Sequence, residues 1–157
     1  MKIRSTLVVI ASLACIGQVH AEAKPEDIIK ARQAAYSYLA WNAGKIKAQV
    51  ESADAINKEE VVRSANAIQA VANSGLGALY VKGTEKGVGF HESKLKPEAF
   101  DPAFADKLSE AGRNFNKEAN ALAQVAVVGD KSAIKAQFGK LGETCKGCHD
   151  NFRVKNN

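Results

Sequence analysis

Between Ile29 and Val50 the chain repeats Ile29, Arg32, Tyr36, Leu39, Ala43, Ile46 and Val50 at alternating steps of three and four, with no proline to interrupt them. Steps of three and four put side chains on one face of an α-helix, whereas a half-buried strand needs a period of two. An apolar face of that length must be covered, so it commits the chain to packing helix against helix. Pro25 suits the first helical turn, and Glu26 and Asp27 complement its positive end.

The pattern recurs near Asn57 to Ser74, where Val61, Val62, Ala65, Ile68 and Ala72 share a face and Asn57 with Glu60 forms a variant of the capping box. It then breaks. "SGLGALYVKGTEKGVGFHESKLKP" holds five glycines and a proline, too many for a helix interior, and reads as a long connection. Asp101 and Pro102 restart a helix along Phe104, Leu108, Ala111, Phe115, Leu122 and Ala126, which Gly129 ends. Asp130 caps a fourth, with Ile134, Phe138, Leu141, Cys145, Cys148 and Phe152 on one stripe. No stretch alternates long enough to make a sheet. The fold class expected is all-α, an antiparallel four-helix bundle with two short connections and one long one.

Ahead of the first helix, residues 1–21 carry Lys2 and Arg4, an apolar run from Leu7 to Ile16 and the sequence Val19-His20-Ala21, the form of a cleaved secretory signal peptide. The run is short of the roughly 20 residues a spanning helix needs, so no membrane span is expected. Cys15 sits only faintly in the form of a lipoprotein cleavage box, since Ser12 stands at its usual leucine. Residues 22–157 make one domain of ordinary size. Loss of Lys2 and Arg4 lowers the net charge from +5 to +3, and the interspersed charges form no basic run of the kind that binds nucleic acid. Loss of Met1, Cys15 and His20 leaves two cysteines, two histidines and no methionine.

Those two cysteines stand together in "ETCKGCHDNFR", with His149 directly behind Cys148. A structural zinc site needs four ligands, and this cluster offers three contiguous ones with no second pair. A thioredoxin-like dithiol belongs at a strand-to-helix junction, which an all-α chain lacks. Two free thiols would be prone to oxidation in an exported protein. The spacing C-x-x-C-H is the known signature of covalent haem c attachment: two thiols for thioethers and an imidazole to ligate iron. Haem c, one per chain through Cys145 and Cys148, is the cofactor expected, with His149 as the metal ligand.

A four-helix bundle with this motif on its last helix resembles cytochrome c′, the class II c-type cytochromes. The similarity spans essentially all of residues 22–157. "KPEDIIKARQAAY" is similar to the family's first-helix opening, "KGTEKG" to its glycine-rich connection and "CKGCHDNFR" to its haem helix. Phe100 departs, standing where some members carry tryptophan. From the residues alone, Arg32 on an apolar stripe either pairs with a haem propionate or snorkels to solvent. The resemblance implies that Arg32 and Gln33 contact the haem, that Thr84 and Glu85 approach its edge, that Tyr36 covers its open side, and that Arg153 lies beside the proximal imidazole. The alternatives are a solvated turn at Thr84 and Glu85, a core aromatic at Tyr36, and a favourable helix-end cation at Arg153.

The function implied is that of a periplasmic haem protein with five-coordinate, high-spin iron that binds diatomic gases, nitric oxide and carbon monoxide, and is redox-active without being a turnover enzyme. A homodimer through the outer faces of the first two helices is implied too, and Tyr38 and Trp41 are large side chains off the main stripe. The alternative is a low-spin electron-transfer cytochrome that meets a redox partner protein. That needs a second strong axial ligand. Methionine is absent after residue 21, and His91 lies in the long connection, where a solvated loop histidine is expected. Peroxidase chemistry is a weaker third reading, with no distal acid–base histidine evident.

Overall fold

The computed structural model describes residues 23–155, so the signal peptide reading lies outside the described residues. Four helices account for most of the chain: α1 (Pro25–Glu51), α2 (Lys58–Ala72), α3 (Ala105–Val128) and α4 (Lys131–Phe152). Successive helices pack as antiparallel neighbours, while α1 and α4, which close the bundle, touch far less than the other adjacent pairs. No helix among the described residues is long and apolar enough to cross a membrane.

Local chemistry sets the helix ends. Asn57 accepts from the Glu60 N–H at 3.0 Å, as the sequence suggests, but the reciprocal half of the box is made differently. The Asn57 N–H donates to Gln49 Oε1 at 2.8 Å, and Gln49 Nε2 donates to Glu60 Oε2 at 2.7 Å, so α1 supplies the missing arm. Asp101 caps a single 3-10 turn, Pro102–Phe104, by accepting from the Ala103 N–H; the α-helix itself starts at Ala105. Gly129 ends α3 with a φ of 85°, a left-handed conformation open to glycine, and one residue later Asp130 accepts from the Ala133 N–H at 2.6 Å to start α4.

The core lies toward one end. Leu39, Ile46, Val50, Val61, Ala65, Ile68, Ala119, Leu122, Ala126, Ile134 and Leu141 form a single buried cluster. On α3 only Ala119, Leu122, Ala123 and Ala126 are buried; the earlier stripe residues Leu108, Ala111 and Phe115 are only partly covered, and Phe104 is exposed. On α4 burial stops after Leu141 and returns only at Phe152. The stripes read from sequence are therefore continuous, but their burial is not. Half of the bundle has apolar faces with too little protein to cover them.

The C-terminal end of the long connection is anchored to the end of α4. Leu95 and Arg153 form an isolated antiparallel bridge, with the Lys96 N–H donating to Phe152 O at 2.9 Å and the Val154 N–H to Lys94 O at 2.8 Å. Lys96 Nζ adds a bond to Asp150 O at 3.0 Å. These contacts hold the last turn of α4 in place, directly beyond the cysteines and His149.

Candidate functional site

Cys145 and Cys148 lie three residues apart on α4, free and half-buried, at the level where the bundle is under-packed. Burial raises both thiols above the usual cysteine range; the Thr144 hydroxyl partly offsets this at Cys145, and charge at Cys145 adds to it at Cys148. Neither is the activated thiolate of a redox dithiol. His149, next along the helix, is exposed. Partial desolvation and the Arg153 cation lower its pKa against the pull of Asp150, which favours the neutral imidazole that a metal needs.

Opposite the thiols stands α1. Its Arg32 is only 3% exposed, so the snorkelling alternative fails. The guanidinium turns into the long connection instead. Nη1 donates to Leu79 O at 2.6 Å and to Thr84 Oγ1 at 2.9 Å, and Nη2 donates to Thr84 O at 2.8 Å. It also lies 5.5 Å from the Tyr80 ring centroid and 5.4 Å from that of Phe100. Burial lowers its pKa while Tyr80, Tyr36 and Glu85 raise it, and a guanidinium stays charged throughout. Three acceptor contacts leave donor capacity on Nη2 and Nε.

Thr84 is correspondingly buried, at 1% exposure, and its hydroxyl passes the bond on to Val81 O at 2.7 Å. The solvated-turn reading therefore fails for Thr84. Glu85 remains partly exposed and accepts from the Gly83 N–H at 2.8 Å, the main cause of its lowered pKa. Gln33 clamps a tight loop: Oε1 accepts from the Phe90 N–H at 2.7 Å and Nε2 donates to His91 O at 2.8 Å. A Cβ at Gly89 would stand 2.5 Å from Gln33 Oε1, which could shift, and 3.0 Å from the Lys30 backbone N, so glycine suits the loop's close approach to α1. His91 is exposed, with Nδ1 2.8 Å from Glu92 O and 3.3 Å from Gln33 Nε2.

Tyr36 is 37% exposed, and its phenol shares a hydrogen bond with the Tyr80 hydroxyl at 2.9 Å. Burial raises the Tyr36 phenol, and the bond to Tyr80 lowers it in part. Tyr80 is pushed up much further, again chiefly by burial. The sequence reading named Tyr36 and missed Tyr80, an unremarkable tyrosine in a glycine-rich connection. Between α3 and α4 an open recess of about 460 Å³ lies beside Cys148, lined by charged residues such as Lys107, Glu110 and Glu143 as well as by Ala111, Thr144 and Phe152. A second recess on the outer side of α4 is bounded by His149, Asp150, Arg153, Val154 and Lys155.

Comparisons with known proteins identify the family. The family model described as Cytochrome C′ matches residues 27–153. The chain belongs to the cytochrome c′ family. Cytochrome c′ of Rhodocyclus tenuis is 51% identical over 133 residues, covering 85% of this chain and 98% of that protein. A solved cytochrome c′ described as having an unusual ligand-controlled dimer dissociation is 44% identical, with a TM-score of 0.80 over 86% of this chain and 100% of its own. A carbon monoxide-bound variant of the Alcaligenes xylosoxidans cytochrome c′ is 27% identical, with a TM-score of 0.73 over 85% of this chain and 98% of its own. A nitric oxide complex of another variant is 26% identical, with a TM-score of 0.74 over 87% and 100%.

Haem c is the cofactor of the cytochromes c′, and the residues present suit it. Cys145 and Cys148 have the spacing of the attachment motif. The half of the bundle they face has apolar side chains left uncovered, as a flat apolar macrocycle requires. A buried guanidinium with spare donors suits a group that carries carboxylates.

Proposed function

We propose that this cytochrome c′ is an exported, periplasmic protein that holds haem c through thioethers to Cys145 and Cys148 and ligates its iron by His149 alone among its side chains. The bound haem supplies an iron centre that changes oxidation state by one electron and takes a diatomic gas at an open position. The chain's own residues decide that the position stays open. Among the described residues there is no methionine, and His91 is the one imidazole besides His149. His91 is exposed and engaged with Gln33 and the Glu92 carbonyl, and this single observation carries the five-coordinate reading.

Arg32 brings a desolvated positive charge to the interior, and its spare donors suit a propionate. Thr84, locked to Arg32, holds the connection against that edge with Glu85 beside it, and Gln33 fastens the next loop. Tyr36 covers the open side from α1. Arg153 keeps a cation beside the His149 imidazole and favours its neutral, ligating form. Nitric oxide and carbon monoxide are the gases proposed, in keeping with the Alcaligenes xylosoxidans structures that hold them. The role is binding and one-electron chemistry rather than catalytic turnover.

Absorption and electron paramagnetic resonance spectra of the purified protein test the reading. High-spin signals in both oxidation states, with carbon monoxide taken up on reduction, are expected. A low-spin spectrum that turns high-spin in His91→Ala would make the protein an electron carrier instead. The outer face of α1 carries Tyr38 at 52% and Trp41 at 65% exposure, which supports a homodimer through that face. Sedimentation as a monomer at micromolar concentration would discard the dimer.

A further inference from the structure

Tyr36 and Tyr80 come from elements 44 positions apart in sequence, yet their hydroxyl oxygens lie 2.9 Å apart. Tyr80 has little freedom to be anywhere else. Its ring is tilted against Phe100 at 6.0 Å between centroids, the Arg32 guanidinium lies over it at 5.5 Å, and Arg32 also binds the carbonyl of the preceding residue, Leu79, at 2.6 Å. Tyr36 is held far less. It stands on the helix face that the under-packed half leaves open, and apart from the helix backbone its phenol is tethered by the bond to Tyr80. A fixed phenol thus holds a movable one.

We propose that Tyr80 is a positioning residue that latches the Tyr36 side chain across the open side of the haem, so that gas entry requires the Tyr36–Tyr80 hydrogen bond to break. This rests on the reading that Tyr36 covers the ligand side. Both phenols are held in their neutral, hydrogen-bonding form well above neutral pH, so the latch does not open by ionisation near pH 7. Arg32 acts on the latch through the Tyr80 ring it lies over and the Leu79 carbonyl it binds. A swinging Tyr36 releases the phenol–phenol bond, while the bonds of Arg32 and Gln33 still hold the connection on α1.

A neutral hydrogen bond of ordinary strength that must break on the way in slows entry by roughly two- to tenfold. Carbon monoxide association with the reduced holoprotein should therefore speed up by about that factor in Tyr80→Phe and in Tyr36→Phe. The double variant should be no faster than the quicker single one, because both remove the same bond. Ultraviolet resonance Raman spectroscopy provides a readout independent of gas binding, since the sequence holds only three tyrosines. A strongly hydrogen-bonded phenol signal in the unliganded holoprotein should disappear in either single variant.

A signal that persists in Tyr80→Phe, a Tyr80→Phe rate equal to wild type, or effects that multiply in the double variant would overturn the latch. Faster entry in Tyr36→Ala beside an unchanged Tyr80→Phe would overturn the latch alone and leave the covering role of Tyr36 intact. A wild-type protein that takes no carbon monoxide would overturn both.

Discussion

Near the turn between α1 and α2, Ile46, Val61, Leu122 and Ile134 are completely enclosed, whereas toward the other end Tyr36 and Phe104 remain more than a third exposed and both thiols are half-open. The helices are the same four, with the same three-and-four spacing from end to end. In the first region protein fills the space between the stripes. In the second, α1 and α4 touch far less, and this level of the bundle carries a buried arginine, two tyrosines and two half-buried cysteines. The difference teaches that an amphipathic stripe fixes which side faces inward without saying what will cover it. One half of this bundle is completed by side chains, and the other has the surfaces of a pocket that a flat cofactor completes.

The largest effect expected from this contrast is on Cys145→Ala combined with Cys148→Ala. That variant should lose covalent haem entirely, as read by acidified-acetone extraction, and lose most of its cooperative thermal transition, because one half of the core then lacks its filler. A variant that melts like the wild-type holoprotein would break the comparison, since the open half would then be stable unaided.

A pair of truncations sharpens it. Ile68→Ala, in the enclosed half, should cost about 2–5 kcal/mol in urea denaturation, the usual loss for a buried aliphatic side chain that leaves a cavity. Leu108→Ala, on the partly covered stretch of α3, should approach the same range in the holoprotein, where the cofactor covers it, and a cost clearly below that range would mean that Leu108 gains no cover from the cofactor.

Arg32→Leu probes the boundary between the regions. It removes the donors to Leu79 O, Thr84 Oγ1 and Thr84 O, and the stranded acceptors should cost about 1–3 kcal/mol. Hydrogen exchange should rise first in residues 79–85. Exchange that rises evenly over the whole bundle would show that Arg32 supports the core rather than the connection.

The smallest effect lies in the enclosed half, at the start of α4. Asp130 accepts from the Ser132 hydroxyl and the Ala133 N–H, which hold its carboxyl below the usual aspartate range. A lowered folded value means that this contribution is present above the unfolded pKa and is lost as pH falls through the folded one. Wild-type stability should dip slightly more than that of Asp130→Asn below about pH 4, because asparagine caps a helix without titrating. Parallel acid titrations of the two would remove Asp130 from the account.

Most of the fold was legible because its determinants are local. The caps at Asn57 and Asp130, the stop at Gly129 and the helical stripes each depend on residues within a turn or two of one another. At Asn57 the reading was half right, since the second arm of the cap is Gln49 on the neighbouring helix. Cys145, Cys148 and His149 were legible for the same reason: their spacing alone brings them together. Resemblance pointed to Arg32, Gln33, Thr84, Glu85, Tyr36 and Arg153, but the bonds between them could not be read in one dimension.

By itself, then, the sequence determined four helices, their inward faces, the two-thiol and imidazole motif on the last of them, and the absence of methionine beyond its first residue. Only the tertiary structure decided that Arg32 is buried on Thr84 and the Leu79 carbonyl rather than extended into water, that Tyr80 meets Tyr36, and that the C-terminal turn of α4 is pinned by Lys94 and Lys96. The physical reason is separation. Helix periodicity and capping act over three or four residues, so they are written along the chain, whereas the Arg32–Thr84 bond spans 52 positions and the Tyr36–Tyr80 bond 44, and such pairs exist only once the helices have packed.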